Sequence, residues 1–125
     1  MGAVDTQSMG AVGTYFTAMA KHDFDLLATA VADDVVRTGP YSDTYTGKTD
    51  YVAFISGLLP ALPGHQLDVH RLNETDGGRR VIAEISETVT VNDAPLVTPE
   101  VIVLDLDDAG LISRIDIYIK TRAGT

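Results

Sequence analysis

Two glutamates stand where strand-forming sequence calls for apolar residues. Val81, Ala83, Ile85, Glu87 and Val89 alternate along one stretch, and Glu100, Ile102, Leu104 and Leu106 along the next. Strand side chains point to opposite faces in turn, so each glutamate shares a face with its apolar neighbours. Asn92-Asp93-Ala94-Pro95 between the two stretches reads as a turn. Folding about Asp93-Ala94 sets Glu87 and Glu100 near one another on adjacent strands, facing one interior. Two carboxylates in apolar surroundings are costly to bury as anions, so at least one is expected to have a raised pKa. A pair of this kind can share a proton, one member acting as base and the other as acid. The competing readings are an ion pair of Glu87 with Arg37, Arg79 or a residue of a partner chain, and a bulge after Pro99 that turns Glu100 to solvent.

The elements that must position this pair follow from periodicity. Residues 6–21 read as a helix with Thr6 or Ser8 as its cap and Val12, Tyr15, Phe16 and Met19 on one face. Asp23 can cap a second helix carrying Phe24, Leu27 and Val31. Val35–Thr38 reads as a short strand ended by Gly39-Pro40, followed by a polar, aromatic loop over residues 41–47. A third helix starts near Lys48, with Tyr51, Phe54, Ile55, Leu58 and Leu59 as its stripe, and ends at Pro60 and Pro63-Gly64. Strands are expected from Gln66 to Asn73, then over the two glutamate stretches, and last from Leu111 to Lys120, where Ile115, Ile117 and Ile119 alternate. Helices first and an antiparallel meander last make one α+β domain over residues 1–125. A curved antiparallel sheet wrapped on a helix layer forms a cone, whose mouth admits a ligand. Tyr41, Asp43 and Tyr45 lie on the loop that would border that mouth and are candidate substrate contacts.

The chain has 125 residues, with 18 acidic against nine basic side chains and a formal charge of -9. That balance argues against nucleic acid and anionic membrane as partners. There is no cysteine, which excludes disulfides and thiolate chemistry. No signal peptide or membrane span is visible, and the expected location is the cytoplasm. Met1-Gly2-Ala3-Val4-Asp5-Thr6 fits the loose myristoylation pattern, but Asp5 and the lack of a basic cluster make it a chance match. His65 and His70, five apart on opposite faces of a strand, do not make a metal pair. His22, between two helices, reads as solvated. Asp105, Asp107 and Asp108 lack the spacing and closing glutamate of a calcium loop. No metal or cofactor is expected.

Ala32-Asp33-Asp34 after the second helix, Thr46-Gly47-Lys48 before the third, and Asp108-Ala109-Gly110-Leu111-Ile112 before the last strand are short words. Their order and spacing resemble the NTF2-like (SnoaL-like) family of α+β cones, over nearly the whole chain. In the register of that family's ketosteroid isomerases, Tyr15 falls on the oxyanion-hole tyrosine. The general-base position falls on Gly39, and the protonated acid on Ile102. Arg37, Glu87 and Glu100 fall on pocket-lining positions. Val69-His70-Arg71-Leu72 and Ala83-Glu84-Ile85-Ser86-Glu87 are similar to strand motifs of limonene-epoxide hydrolase. In that register Glu87 falls on a catalytic aspartate, Ile85 on the catalytic arginine, and Ile117 near the second aspartate.

The resemblance implies the same scaffold with a different pocket. Glu87, Glu100 and Tyr15 are the expected catalytic residues, with Arg37, Ile85, Ile102 and Ile117 around the substrate. Isomerisation, epoxide opening and aldol-type ring closure on a small, largely apolar molecule all suit such a set. The alternative is a non-catalytic member that binds a small ligand or serves as a dimeric interaction module. Ile82, Val101, Val103 and Tyr118 lie on the other sheet face. Helices cover one face only, so a homodimer through the sheet is expected to cover the other.

Overall fold

The computed structural model describes residues 10–120; the capping positions Thr6 and Ser8 and the myristoylation-like opening lie outside the described residues. The first helix, α1, spans Ala11–Lys21 and buries Val12, Tyr15, Phe16 and Met19 on one face. It stops at His22, which takes a left-handed conformation (φ 56, ψ 40) with its N–H on the carbonyl of Ala18. Asp23 then caps α2, Phe24–Ala30, by accepting from the N–H of Leu26 at 3.1 Å.

Here the structure departs from the expected boundaries. Val31 is extended and opens β1, Val31–Thr38, four residues before the expected start. The pairing explains this. Val31 aligns with Ile112 and is fully buried, and the register shifts between Val31 and Val36. The exposed Asp33 and Asp34 lie in that irregular segment, where solvent reaches both carboxylates.

The loop after Gly39-Pro40 contains a short strand, β2, Thr44–Thr46, which pairs back on β1. Helix α3, Lys48–Leu58, continues into a single 3-10 turn at Leu59–Ala61. Four strands follow: β3 Gln66–Thr75, β4 Arg80–Val91, β5 Ala94–Leu106 and β6 Ile112–Ile119. The sheet order is β2-β1-β6-β5-β4-β3, antiparallel throughout except where β1 runs parallel to β6. The sheet is curved and unclosed, and the three helices pack on it, α1 against β3 and α3 against β1. The core between them holds Tyr15, Phe16, Leu27, Tyr51, Ile55, Ile102, Leu104 and Ile115.

The β4–β5 hairpin decides where the glutamates meet. Its loop is Asn92-Asp93, both with positive φ (52 and 63), and Val91 pairs with Ala94. That is a two-residue turn of the primed class, whose twist matches the strands. Folding therefore occurs one residue earlier than the expected Asp93-Ala94, and the register moves by two. Glu87 faces Thr98 and Glu100 faces Ile85. A shift of two keeps every side chain on its face, so the glutamates are diagonal neighbours on the inner face rather than directly opposed. In β3 the register shifts between Val69 and Arg71, leaving His70 unpaired and exposed, with Nε2 2.8 Å from Ser86 Oγ.

Candidate active site

Glu87 and Glu100 project from neighbouring strands into the space beneath α1 and α3. Glu100 is 9% exposed, and in ionised form its Oε1 has no hydrogen-bond partner among the described residues. Burial raises its pKa first, and the charge of Glu87 beside it and the hydrogen bond between the two raise it further, to about 9. At neutral pH Glu100 is thus a carboxylic acid that donates to Glu87. Glu87 moves the other way. Burial alone would raise its pKa, but hydrogen bonds from His65 and Glu100, with the fields of His65 and Arg37, outweigh burial and lower it. One carboxyl is neutral and its neighbour ionised, a division of the kind that separates acid from base in enzyme sites.

His65 is the residue that periodicity missed. It lies just before β3, not within it, and its ring is wholly sealed, with Nε2 2.5 Å from Glu87 Oε2. Its other nitrogen, Nδ1, is 2.8 Å from His22 Nε2. The short loop that carries it is built to sit there. Gly64 takes φ +63, and a Cβ on it would come within 2.5 Å of Thr90 Oγ1. The Thr90 N–H donates to the carbonyl of Pro63 at 2.7 Å, tying the loop to β4. Pro63-Gly64-His65 is the local signal for this placement; strand alternation carries no information about it. His22, expected to be solvated, is half-buried and stacks near Phe24 with ring centroids 6.1 Å apart.

Arg37 is buried, and its partner is Asp43, Nη1 to Oδ2 at 2.7 Å, rather than Glu87. Its guanidinium also lies over the Phe54 ring, 5.0 Å from the centroid. The pair holds the Asp43 carboxyl below its ordinary pKa, against the upward push of burial. Gly39 makes the pairing possible: a Cβ there would sit 2.5 Å from Asp43 Oδ1 and 2.7 Å from Arg37 Nη1. The same position falls on the general base in the isomerase register, so the Arg37–Asp43 pair occupies the space a side chain at 39 would need. Tyr15 and Tyr51 are both fully buried, and burial raises both phenol pKa values, so each hydroxyl stays protonated as a donor.

A cavity of about 160 Å³ opens among these groups. Its polar wall is Tyr15, Arg37, Tyr51, Glu87 and Glu100. Ile55, Leu58, Leu59 and Leu62 from the α3 side and Ile102, Ile117 and Ile119 from the sheet supply the apolar wall. Arg37 Nε, Tyr51 Oη and Glu100 Oε1 are buried without partners among the described residues. Unmet polar groups of this kind cost roughly 1–3 kcal/mol each unless something bonds to them. All three belong to residues of this one cavity; a fourth such atom, Asp43 Oδ1, belongs to a residue that does not line it.

The remaining sequence candidates divide. Ile102 and Ile117 line the cavity. Ile85 is buried opposite Glu100 on the neighbouring strand but does not line it. Tyr41 is 80% exposed and does not line it; it sits in the turn closed by the Ser42 N–H on the Gly39 carbonyl at 3.0 Å. Tyr45 stacks on Phe54 at 4.0 Å, and Asp43 is held by Arg37, so both support the wall from behind.

Residues 12–115 match the family model of the SnoaL-like domain. No curated protein matches the chain. Among solved structures, the chain is similar to an LEH-like epoxide hydrolase of M. tuberculosis, with TM-score 0.76 and 21% identity over 93% of this chain and 84% of that one. It is also similar to an NTF2-like protein of unknown function from Burkholderia pseudomallei, with TM-score 0.77 and 20% identity over 94% and 92%. A third is a protein of ketosteroid isomerase-like fold from Catenulispora acidiphila, solved with trimethylamine, with TM-score 0.75 and 14% identity over 86% and 83%. At these identities the likeness is one of fold.

Proposed function

The chain belongs to the SnoaL-like domain family, and from that premise we propose that it is a cofactor-independent acid–base enzyme acting on a small, largely apolar molecule with one oxygen function. The observation that carries this reading is the carboxyl pair at the cavity wall, with Glu100 raised to about 9 and Glu87 lowered. Glu100 gives its proton to the ligand oxygen as a C–O bond opens or a carbonyl enolises. Glu87 takes a proton from water or from carbon. Tyr51 Oη and Arg37 Nε, unpartnered among the described residues, and Tyr15 supply donors to the developing oxyanion.

Size narrows the substrate class. A cavity of about 150 Å³ takes up a benzene-sized guest, so the 160 Å³ here suits a small epoxide or carbonyl compound and not a steroid. A panel of such epoxides and unsaturated ketones, followed by chromatography, tests the reading. Glu100→Gln and Glu87→Gln should each lower turnover by roughly 100-fold or more, as expected for loss of a general acid or base. Tyr51→Phe should slow turnover with little loss of stability, since it removes a hydroxyl that has no hydrogen-bond partner within 3.5 Å among the described residues.

The second reading, a non-catalytic binder, is favoured by one fact: a carboxylate with a lowered pKa, such as Glu87, is a weak base. Ligand binding on that panel with no turnover by the wild-type protein would select it. In either case we propose a homodimer through the outer sheet face. Val97 and Tyr118 are 56% and 60% exposed there, beside the half-buried Ile82, Val101 and Val103.

A further inference from the structure

Neither His22 nor His65 lines the cavity, yet the two join it to the outside. His22 Nε2 meets His65 Nδ1 at 2.8 Å, and His65 Nε2 meets Glu87 Oε2 at 2.5 Å. Glu87 in turn is hydrogen-bonded to Glu100. The His65 side chain is 0% exposed, while His22 is half-buried. Four titratable groups therefore run in one line from the α1–α2 corner to the cavity wall.

One arrangement of protons that satisfies every contact runs inward from the α1–α2 corner. His22 donates from Nε2 to the bare Nδ1 of His65. His65 donates from Nε2 to the Glu87 carboxylate, which also accepts the proton of Glu100. An imidazole that carries a proton on one nitrogen and a lone pair on the other can pass a proton through.

We propose that His22 and His65 form a proton relay behind the cavity, which keeps the Glu87–Glu100 pair in protonic equilibrium with solvent while a ligand closes the front. A proton from water binds His22 Nδ1. The Nε2 proton of His22 moves to His65 Nδ1, and the Nε2 proton of His65 moves to Glu87 Oε2. Glu87 gains one proton, both imidazoles exchange tautomers, and no other bond is made or broken. The same steps in reverse return the proton to water. His65 is thus a positioning and conducting residue that acts through Glu87. The inference rests on the acid–base reading of the pair for its purpose, though not for its existence.

The packing supports a built device. Thr90 and Gly64 lock the loop that presents His65. The left-handed turn at His22 brings its ring to 5.0 Å from that of His65. A mere filler at either place would need no nitrogen aligned with its neighbour.

Nitrogen-15 NMR of the full chain at pH 8 tests the relay without a substrate. The expected spectrum shows His65 protonated on Nε2 and bare on Nδ1. The His65 Nε2 proton should exchange with water at least tenfold more slowly in His22→Phe, which keeps a ring and removes both nitrogens. His22→Asn, suited to the left-handed backbone, should show the same slowing if His22→Phe fails to fold. An unchanged or faster exchange in the folded variant overturns the relay. Failure of the enzyme reading looks different: wild-type protein turns over nothing, while the exchange still depends on His22.

Discussion

Glu87 and Glu100 share a residue type, a sheet face and a cavity, and they part company through their neighbours. Glu87 receives a hydrogen bond from His65, whereas Glu100 Oε1 receives none among the described residues, so the proton settles on Glu100. The consequence for stability has a definite sign. The pKa of Glu100 rises from 4.5 to about 9 on folding. Between those values the folded chain holds a proton that the unfolded chain has lost, so the contribution of Glu100 to stability falls as pH rises through that range. Glu87, lowered on folding, contributes stability above its ordinary pKa of 4.5 and loses it as pH falls below. Glu100→Gln keeps the donor and removes the titration. Its melting temperature should drop less between pH 5 and pH 9 than that of the wild type; parallel curves would refute the buried acid. The inward direction of both glutamates was legible from strand alternation. The opposite shifts were not, because they depend on His65, which is 22 residues from Glu87 in the chain.

At the scale of the element, the hairpin turn carries the site's register. Asn92 and Asp93 both adopt positive φ, which suits asparagine followed by glycine best. Asp93 pays the Cβ penalty of the left-handed region, about 1–2 kcal/mol, partly offset by glycine's larger backbone entropy. Asp93→Gly should therefore stabilise the protein by about 0.5–1 kcal/mol in urea unfolding; an equal or lower midpoint would contradict the turn assignment. A turn in residues 92–95 was readable from composition. Its centre was not, since residues 92–93 and 93–94 both offer turn chemistry, and only the pairing of whole strands selects between them. The early start of β1 has a similar origin: Val31 continues the helical stripe of α2 locally, and its pairing with Ile112 overrides that preference.

For the molecule as a whole, one sheet face is closed by helices and the other carries an apolar strip. Around that strip the charges are already paired, Arg80 with Asp105, Arg114 with Asp116, and Arg71 with Glu84. A second copy can thus cover Val97, Val101 and Tyr118 without stranding those charges. Sedimentation should find a dimer that Val101→Lys with Tyr118→Lys converts to single chains; a wild-type protein that sediments as a single chain would remove the proposal. The order of the three helices and five longer strands and the cone-like α+β plan were legible from the chain, because both rest on periodicity; the three-residue β2, within a segment read as loop, was not. The parallel β1–β6 pair was not, since it joins strands at opposite ends of the sequence.

Local alternation by itself determined that two carboxyls face inward with an apolar wall about them, because a strand side chain's direction depends only on its parity. Which carboxyl keeps the proton, which base pairs with Arg37, and where two histidines line up behind Glu87 were decided by tertiary structure alone. Those outcomes depend on distances of a few ångströms between segments far apart in the chain, and on a burial that no single segment can create.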